Sequence, residues 1–257
     1  MSAMSHLDAL LQHHPGHAFA TQYVLAETGW NSFLSFHNYY DEVFPGKRIT
    51  ARLHLVFHDP DGRETLNYEV DIAPGGVAQI DCRKLGIRVS GIVAMAAVPA
   101  ADLTKLAEGK FKIRSHIGTG FYITWERQGR WRDMMHEWTD VVTNESAVNV
   151  QHVGFAASNQ PVDYGMVLMN PSIAPSSGLP IALTLRTDKG HQVGRTAEMQ
   201  ALPAMGSRIA SLSEIFADFT DLLGKHRRLV VSVASRNHSP PLTAEWHRSG
   251  DFHLHHI

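Results

Sequence analysis

Trp125-Glu126-Arg127-Gln128-Gly129-Arg130-Trp131 and Trp246-His247-Arg248-Ser249-Gly250-Asp251-Phe252 space a tryptophan, an arginine, a glycine and an aromatic in the same way, 121 residues apart (246 − 125). A pattern that returns once at that distance in a chain of 257 residues points to a duplicated module. Upstream, the apolar stretch Phe33 to Phe36 closes at Asn38, as Met166 to Met169 closes at Asn170. Alternating runs follow, Leu53, Leu55 and Phe57 in one copy and Ile181, Leu183 and Leu185 in the other. They end at the turns Asp59-Pro60-Asp61-Gly62 and Asp188-Lys189-Gly190. Breaks at Pro74-Gly75-Gly76 and Pro203-Ala204-Met205-Gly206 then precede a strand with Val77, Gln79 and Asp81 on one face and Ala78, Ile80 and Cys82 on the other. Its counterpart runs from Arg208 to Leu212. The offset falls from 129 (203 − 74) to 121 at the tryptophans, and the additional 8 residues (129 − 121) of the first copy are assigned to the apolar stretch Val89 to Val98.

Period-2 alternation bounded by turn residues is the mark of half-buried antiparallel strands. The expected fold is therefore all-β, two tandem homologous antiparallel β-sandwich units with a few short helices. An N-terminal helical or extended segment covers 1–26, the first unit 27–148 and the second 149–257. Helices are expected at Ser5 to His14, where Leu7, Leu10 and Leu11 follow a serine cap, and at Leu103 to Glu108. A third apolar stripe, Ile215 to Leu223, is expected to stop at Gly224 in a left-handed cap.

Charge and composition narrow the function. With 23 Lys plus Arg against 25 Asp plus Glu, the chain has no basic footprint for nucleic acid. The longest uncharged apolar run, Val89 to Ala101, is too short to span a bilayer, so no membrane insertion is expected. One cysteine makes no internal disulfide, and Met1 to Phe19 has no apolar leader core. The expected compartment is cytoplasmic, or periplasmic if a leader has been removed ahead of Met1. No nucleophile elbow, phosphate loop, H-E-x-x-H or C-x-x-C pattern occurs, so the reading is non-catalytic with no cofactor expected.

Histidine is the compositional excess, with 17 residues. Glu245, His247, His253, His255 and His256 crowd the C-terminal end. On a strand His253 and His255 share a face, and His247 on the neighbouring strand brings a third imidazole toward the same point. Three imidazoles are a ligand set for Zn or another transition metal, with Glu245 beside them. A metal-binding protein or metal-dependent enzyme using His247, His253 and His255 is thus the alternative reading. His13, His14 and His17 form a second cluster, while His54 and His58 share a strand face with Val56 and read as a polar outer face.

Aromatics mark the first copy. Trp30, Phe33, Phe36, Tyr39, Tyr40 and Phe44 lie together, and Tyr39, Tyr40 and Trp138 are the candidate ligand contacts, since tyrosine and tryptophan offer large contact area at low entropic cost. Carbohydrate binding through these three is a further alternative. Trp125 and Arg127 share a strand face, so the guanidinium is expected to stack on the indole in a structural role kept by both copies.

The order of an apolar strand ending in Asn38 or Asn170, a strand into the Gly62 or Gly190 turn, a break at Pro74 or Pro203 and a late strand before the tryptophan motif resembles a bacterial β-sandwich class that includes sensory rhodopsin transducers and surface-array repeats. The resemblance implies a non-catalytic binding or assembly module that often oligomerises. The expected partner is a second copy of the chain or another protein.

Overall fold

The structure, a computed structural model, describes residues 4–14, 17, 19–27, 29–101, 119–136, 139–144, 146–158, 162–174, 180–187, 192–236, 239–247 and 252–255. The chain divides into two compact units, Met1–Val141 and Val142–Ile257.

In the first unit a helix α1 (His6–His13) precedes strands β1 (Ala20–Val24) and β2 (Trp30–Asn38), a short helix α2 (Tyr40–Val43), and strands β3 (Ala51–His58), β4 (Glu64–Ile72), β5 (Val77–Asp81), β6 (Gly91–Pro99), β7 (Thr119–Arg127), β8 (Arg130–His136) and β9 (Thr139–Asp140). These strands form a five-stranded sheet in the order β4-β3-β6-β1-β9 and a four-stranded sheet in the order β5-β2-β7-β8. The second unit contains β10 (Asn149–Ala156), β11 (Val162–Met169), β12 (Ile181–Thr187), β13 (Gln192–Met199), β14 (Ser207–Ser211), helices α3 (Leu212–Ile215) and α4 (Phe219–His226), then β15 (Arg228–Ser235), β16 (Leu242–His247) and β17 (Phe252–His255). Its sheets run β13-β12-β15-β10 and β14-β11-β16-β17. Strand for strand, these orders repeat those of the first unit, with β9 the one addition among the described residues.

The expected all-β class holds, and the expected arrangement does not. The strands form four small antiparallel sheets of four or five strands, the sheet size of a propeller blade, and not two tandem β-sandwich units. Alternation along a strand fixes which face is buried, but the ladder it joins is set by partners far away in sequence. Residues 1–26 also contribute to the first unit's sheet, since β1 lies between β6 and β9.

The stretch Val89 to Val98 is no insertion. It becomes β6, buried nearly throughout because β3 and β1 flank it, and β15 holds the same place in the second unit. Gly91 opens β6 where a Cβ would run into the His58 carbonyl oxygen, so only glycine fits that approach.

Two asparagines tie matching turns. The fully buried Asn38 donates through Nδ2 to the carbonyls of Ile49 (2.8 Å), Ile72 and Ala73 (both 3.2 Å). Asn170, equally buried, donates to those of Leu202 (3.0 Å) and Pro203 (2.9 Å). Buried carbonyls in an irregular turn need such donors.

The core of the second unit gathers Phe155, Met166, Leu183 and Val231 from its strands with Leu212 and Phe219 from its helices. Helix α4 runs through Gly224 and ends at Arg227, whose φ of 66° makes it the left-handed cap in place of the glycine. Arg227 N donates to the Leu223 carbonyl, so the helix gains another turn, and Lys225 places a positive side chain at its negative end. In the first unit Cys82 follows β5 fully buried, and burial, with Asp81 nearby, pushes its thiol up to about 12. The expected helix at Leu103 to Glu108 lies outside the described residues, as does Asp188-Lys189-Gly190. No helix among the described residues is long and apolar enough to cross a membrane.

Candidate functional site

The repeated tryptophan motif does not occupy equivalent positions. Trp125 pairs with Ser32, six residues before Asn38, whereas Trp246 pairs with Asp163, seven residues before Asn170. A slip of one residue turns a side chain to the opposite face of the sheet. Trp125 accordingly points into the first unit's core, 1% exposed, and its Nε1 donates to the Tyr23 carbonyl at 3.1 Å. Trp246 is half-buried, packing on Gly165 and on the Phe252 ring at 5.1 Å. The expected stacking of Arg127 on Trp125 is also corrected: the guanidinium lies over Trp30, 5.7 Å from the ring centroid, because those two residues are cross-strand neighbours. Arg248 and Gly250 lie outside the described residues.

The slip gives the place of Trp125 to Glu245, which pairs with the buried Tyr164. Across β16 and β17, Glu245 pairs with His253 and Thr243 with His255, so Glu245, His247 and His253 share one face, as the strand parity predicts. His247 Nε2 lies 3.6 Å from Glu245 Oε2, and the His247 and His253 rings stand 5.2 Å apart, edge to face. The side chain of His255 lies outside the described residues. Among the described residues no three His, Cys, Asp or Glu side chains form a metal-holding group. Tyr164 closes the core beneath this cluster: its hydroxyl donates to the Ala156 carbonyl (2.7 Å) and accepts from Ser158 N (3.1 Å). Burial raises its phenol, and the Glu245 charge adds to that.

The three expected ligand contacts do not come together. Tyr40 is 1% exposed, its hydroxyl donates to the Ala97 carbonyl at 3.0 Å, and burial drives its phenol well above the ordinary value, so it belongs to the core. Tyr39 is half-buried and packs edge-on against His37, ring centroids 3.9 Å apart. Trp138 lies outside the described residues.

What sequence reasoning missed is the face of β5-β2-β7-β8 turned away from the core. Leu34 and Phe36 point inward, so Phe33, Ser35 and His37 point outward, and their register partners share that face. It carries Val77 (70% exposed) beside His37, Tyr122 (41%) beside Ser35, and Phe33 in line with Thr124 and Met134 (70%). The alternation of β2 is the signal for an outward face, and it puts Phe33 there with Ser35 and His37.

His54 and His58 do face outward from β3, yet they are 5% and 4% exposed. Helix α1 lies against them. Ser5 Oγ accepts from Asp8 N to cap the helix, Leu7 and Leu10 are buried, and Glu64 on β4 accepts from His6 N (3.1 Å) and Leu7 N (2.9 Å). His54 Nδ1 contacts Glu69 Oε1 at 3.0 Å, and the His14 ring sits 5.3 Å from that of His54. His58 Nε2 lies 4.0 Å from Glu64 Oε1. Burial is the first cause lowering all of His14, His17, His54 and His58 below the ordinary histidine value. The amphipathic spacing of Leu7, Leu10 and Leu11 was the available signal that this face is covered.

No family model matches the chain, and no curated protein matches it. A solved structure, that of the M60 catalytic domain with the CBM51-1 and CBM51-2 domains from Clostridium perfringens ZmpB, is similar at 8% identity over 93% of this chain, with a TM-score of 0.23. The chain spans 34% of that structure, and a likeness at this level carries no argument about fold or activity.

Proposed function

We propose that this chain is a non-catalytic assembly protein built from a duplicated β-module, which associates with further copies of itself. The matching strand orders and the paired asparagine devices support the duplication. The observation that carries the assembly reading is the outward face of β5-β2-β7-β8, where Val77 beside His37, Tyr122 beside Ser35 and Met134 in line with Phe33 are exposed. Three large apolar side chains exposed on one sheet face, among the polar Ser35, Gln79 and Thr124, favour a protein contact there. Sedimentation equilibrium across a wide concentration range tests it. The expected result is an average mass that climbs above 28.5 kDa and falls back toward it in a Tyr122→Ser, Met134→Lys variant. A wild-type chain that stays monomeric throughout overturns the reading.

A second reading, transition-metal binding, is favoured by Glu245, His247 and His253 sharing a face within 5.2 Å ring spacing. They are donor types that Zn takes together, but as placed they form no metal-holding group among the described residues, so binding calls for the three to draw closer.

A further inference from the structure

We infer that β10 is a second self-association surface, along which two copies pair edge to edge and antiparallel about a two-fold axis. The inference rests on the assembly reading and adds to it a contact through backbone hydrogen bonds.

The other edge strands of the molecule are protected. An edge strand presents unpaired N–H and C=O groups, and charged side chains, prolines or bulges keep them from pairing with another chain. Among the described edges, β4 carries Glu64, Glu69 and Asp71, β13 carries Arg195 and Glu198, and β8 carries Arg130 and Asp133. The shorter β5, β14 and β9 carry Asp81, Arg208 and Asp140. Strand β17 has no carboxylate, lysine or arginine but is only 4 residues long. Strand β10, Asn-Val-Gln-His-Val-Gly-Phe-Ala, runs 8 residues without a carboxylate, lysine, arginine or proline. Its register with β15 is unbroken over all eight, so no bulge twists the edge away. Val150 is 50% exposed on it and Val148, just before it, 52%.

The first unit shows that this place in the sheet takes another strand. There β1 stands where β10 stands in the second unit, and β9 adds to its free side antiparallel, pairing Ala20 with Asp140 and Thr21 with Thr139. The second sheet ends at β10 among the described residues.

A second β10 is the occupant that fits. A charged partner strand would bring carboxylates or guanidiniums against an edge with no countercharge, whereas β10 meets itself with none on either side. In an isologous pair each residue is used twice, so the positions from Asn149 to Phe155, ahead of the Ala156 carbonyl that Tyr164 already holds, generate a ladder from one surface. Its two inward residues, Val153 and Phe155, are already fixed in the core, which holds the strand straight for pairing.

Amide hydrogen exchange on the unmodified protein, dilute against concentrated, is the first measurement. Protection that rises with concentration at alternate residues of 149–156, and a Val150→Lys variant whose self-association is weaker by about tenfold or more, are expected, since the added charge enters the pair twice. Val150 is exposed, so the variant leaves the fold of its own unit intact. If the protein associates but exchange at 149–156 is indifferent to concentration, or Val150→Lys associates normally, the β10 contact is wrong while assembly through the first unit stands. If the protein never associates, both fall.

Discussion

Replacing each tryptophan of the repeated motif in turn gives unequal losses. Trp125 is buried to 1% exposure in the first unit, and its indole N–H satisfies the Tyr23 carbonyl. Trp125→Ala loses the packing of a large core aromatic, about 3–5 kcal/mol, and strands a buried carbonyl at about 1–3 kcal/mol more. Trp246 is half-buried on the opposite face, so Trp246→Ala gives up roughly 100 Å² of apolar burial, about 2.5 kcal/mol at 25 cal/mol per Å². Urea unfolding followed by far-UV circular dichroism measures both, with the two units fitted as separate transitions. Trp125→Ala is expected to abolish or sharply lower the first transition and leave the second in place. Because that change approaches the whole stability of a small unit, Trp125→Phe is the companion variant; it keeps a ring and loses the N–H donor. Equal losses at Trp125 and Trp246, within about 0.5 kcal/mol, would refute the one-residue register difference that separates them.

Acidification tests the cover over β3. His14, His17, His54 and His58 all sit below the ordinary value of 6.5, so the native state binds fewer protons than the unfolded chain. The first unit's stability is therefore whole above about pH 6.5 and is lost as pH falls through the lowered values, while a His54→Gln, His58→Gln variant has a flatter profile. A flat wild-type profile in thermal melts from neutral to mildly acid pH is the contrary result. Asn38→Ala and Asn170→Ala should each cost about 1–3 kcal/mol, with Asn38 the larger because it also holds Ile49 and accepts from Tyr40 N; chemical denaturation of both decides it. For the metal reading, elemental analysis of untagged protein before and after chelation should find close to one equivalent of zinc or a similar metal, removed by His247→Ala. Less than about a tenth of an equivalent ends that reading.

The local rules of strand formation were legible. Alternation located β3 and β12, the proline and glycine breaks located the start of β5 and β14, and the serine cap located α1. What escaped reading is non-local. Nothing in the sequence of β2 states that β5 and β7 flank it, so the assignment of strands to four sheets was out of reach. The motif alignment failed for a related reason: a spacing of 121 residues matches two tryptophans, but the register with β2 and β11 sets their faces, and it differs by one. The same limit governs the site residues. Parity put Glu245, His247 and His253 together correctly, because that is a property of two adjacent strands. It also put His54 and His58 on an outer face, which is true, but only the docking of α1 makes that face dry. Tyr40 looked like its neighbour Tyr39 in sequence, and a backbone carbonyl on β6 separates them.

Cys82 turns the first unit into its own clock. It is the chain's one cysteine, it is fully buried, and its thiol holds its proton to about 12. A thiol reagent added to the native protein thus waits for the unit to open, and the ratio of the observed rate to that of an exposed cysteine is the fraction of time spent open. The second unit has no cysteine to add a signal, so the count of modified molecules with time reports the breathing of residues around β5 alone.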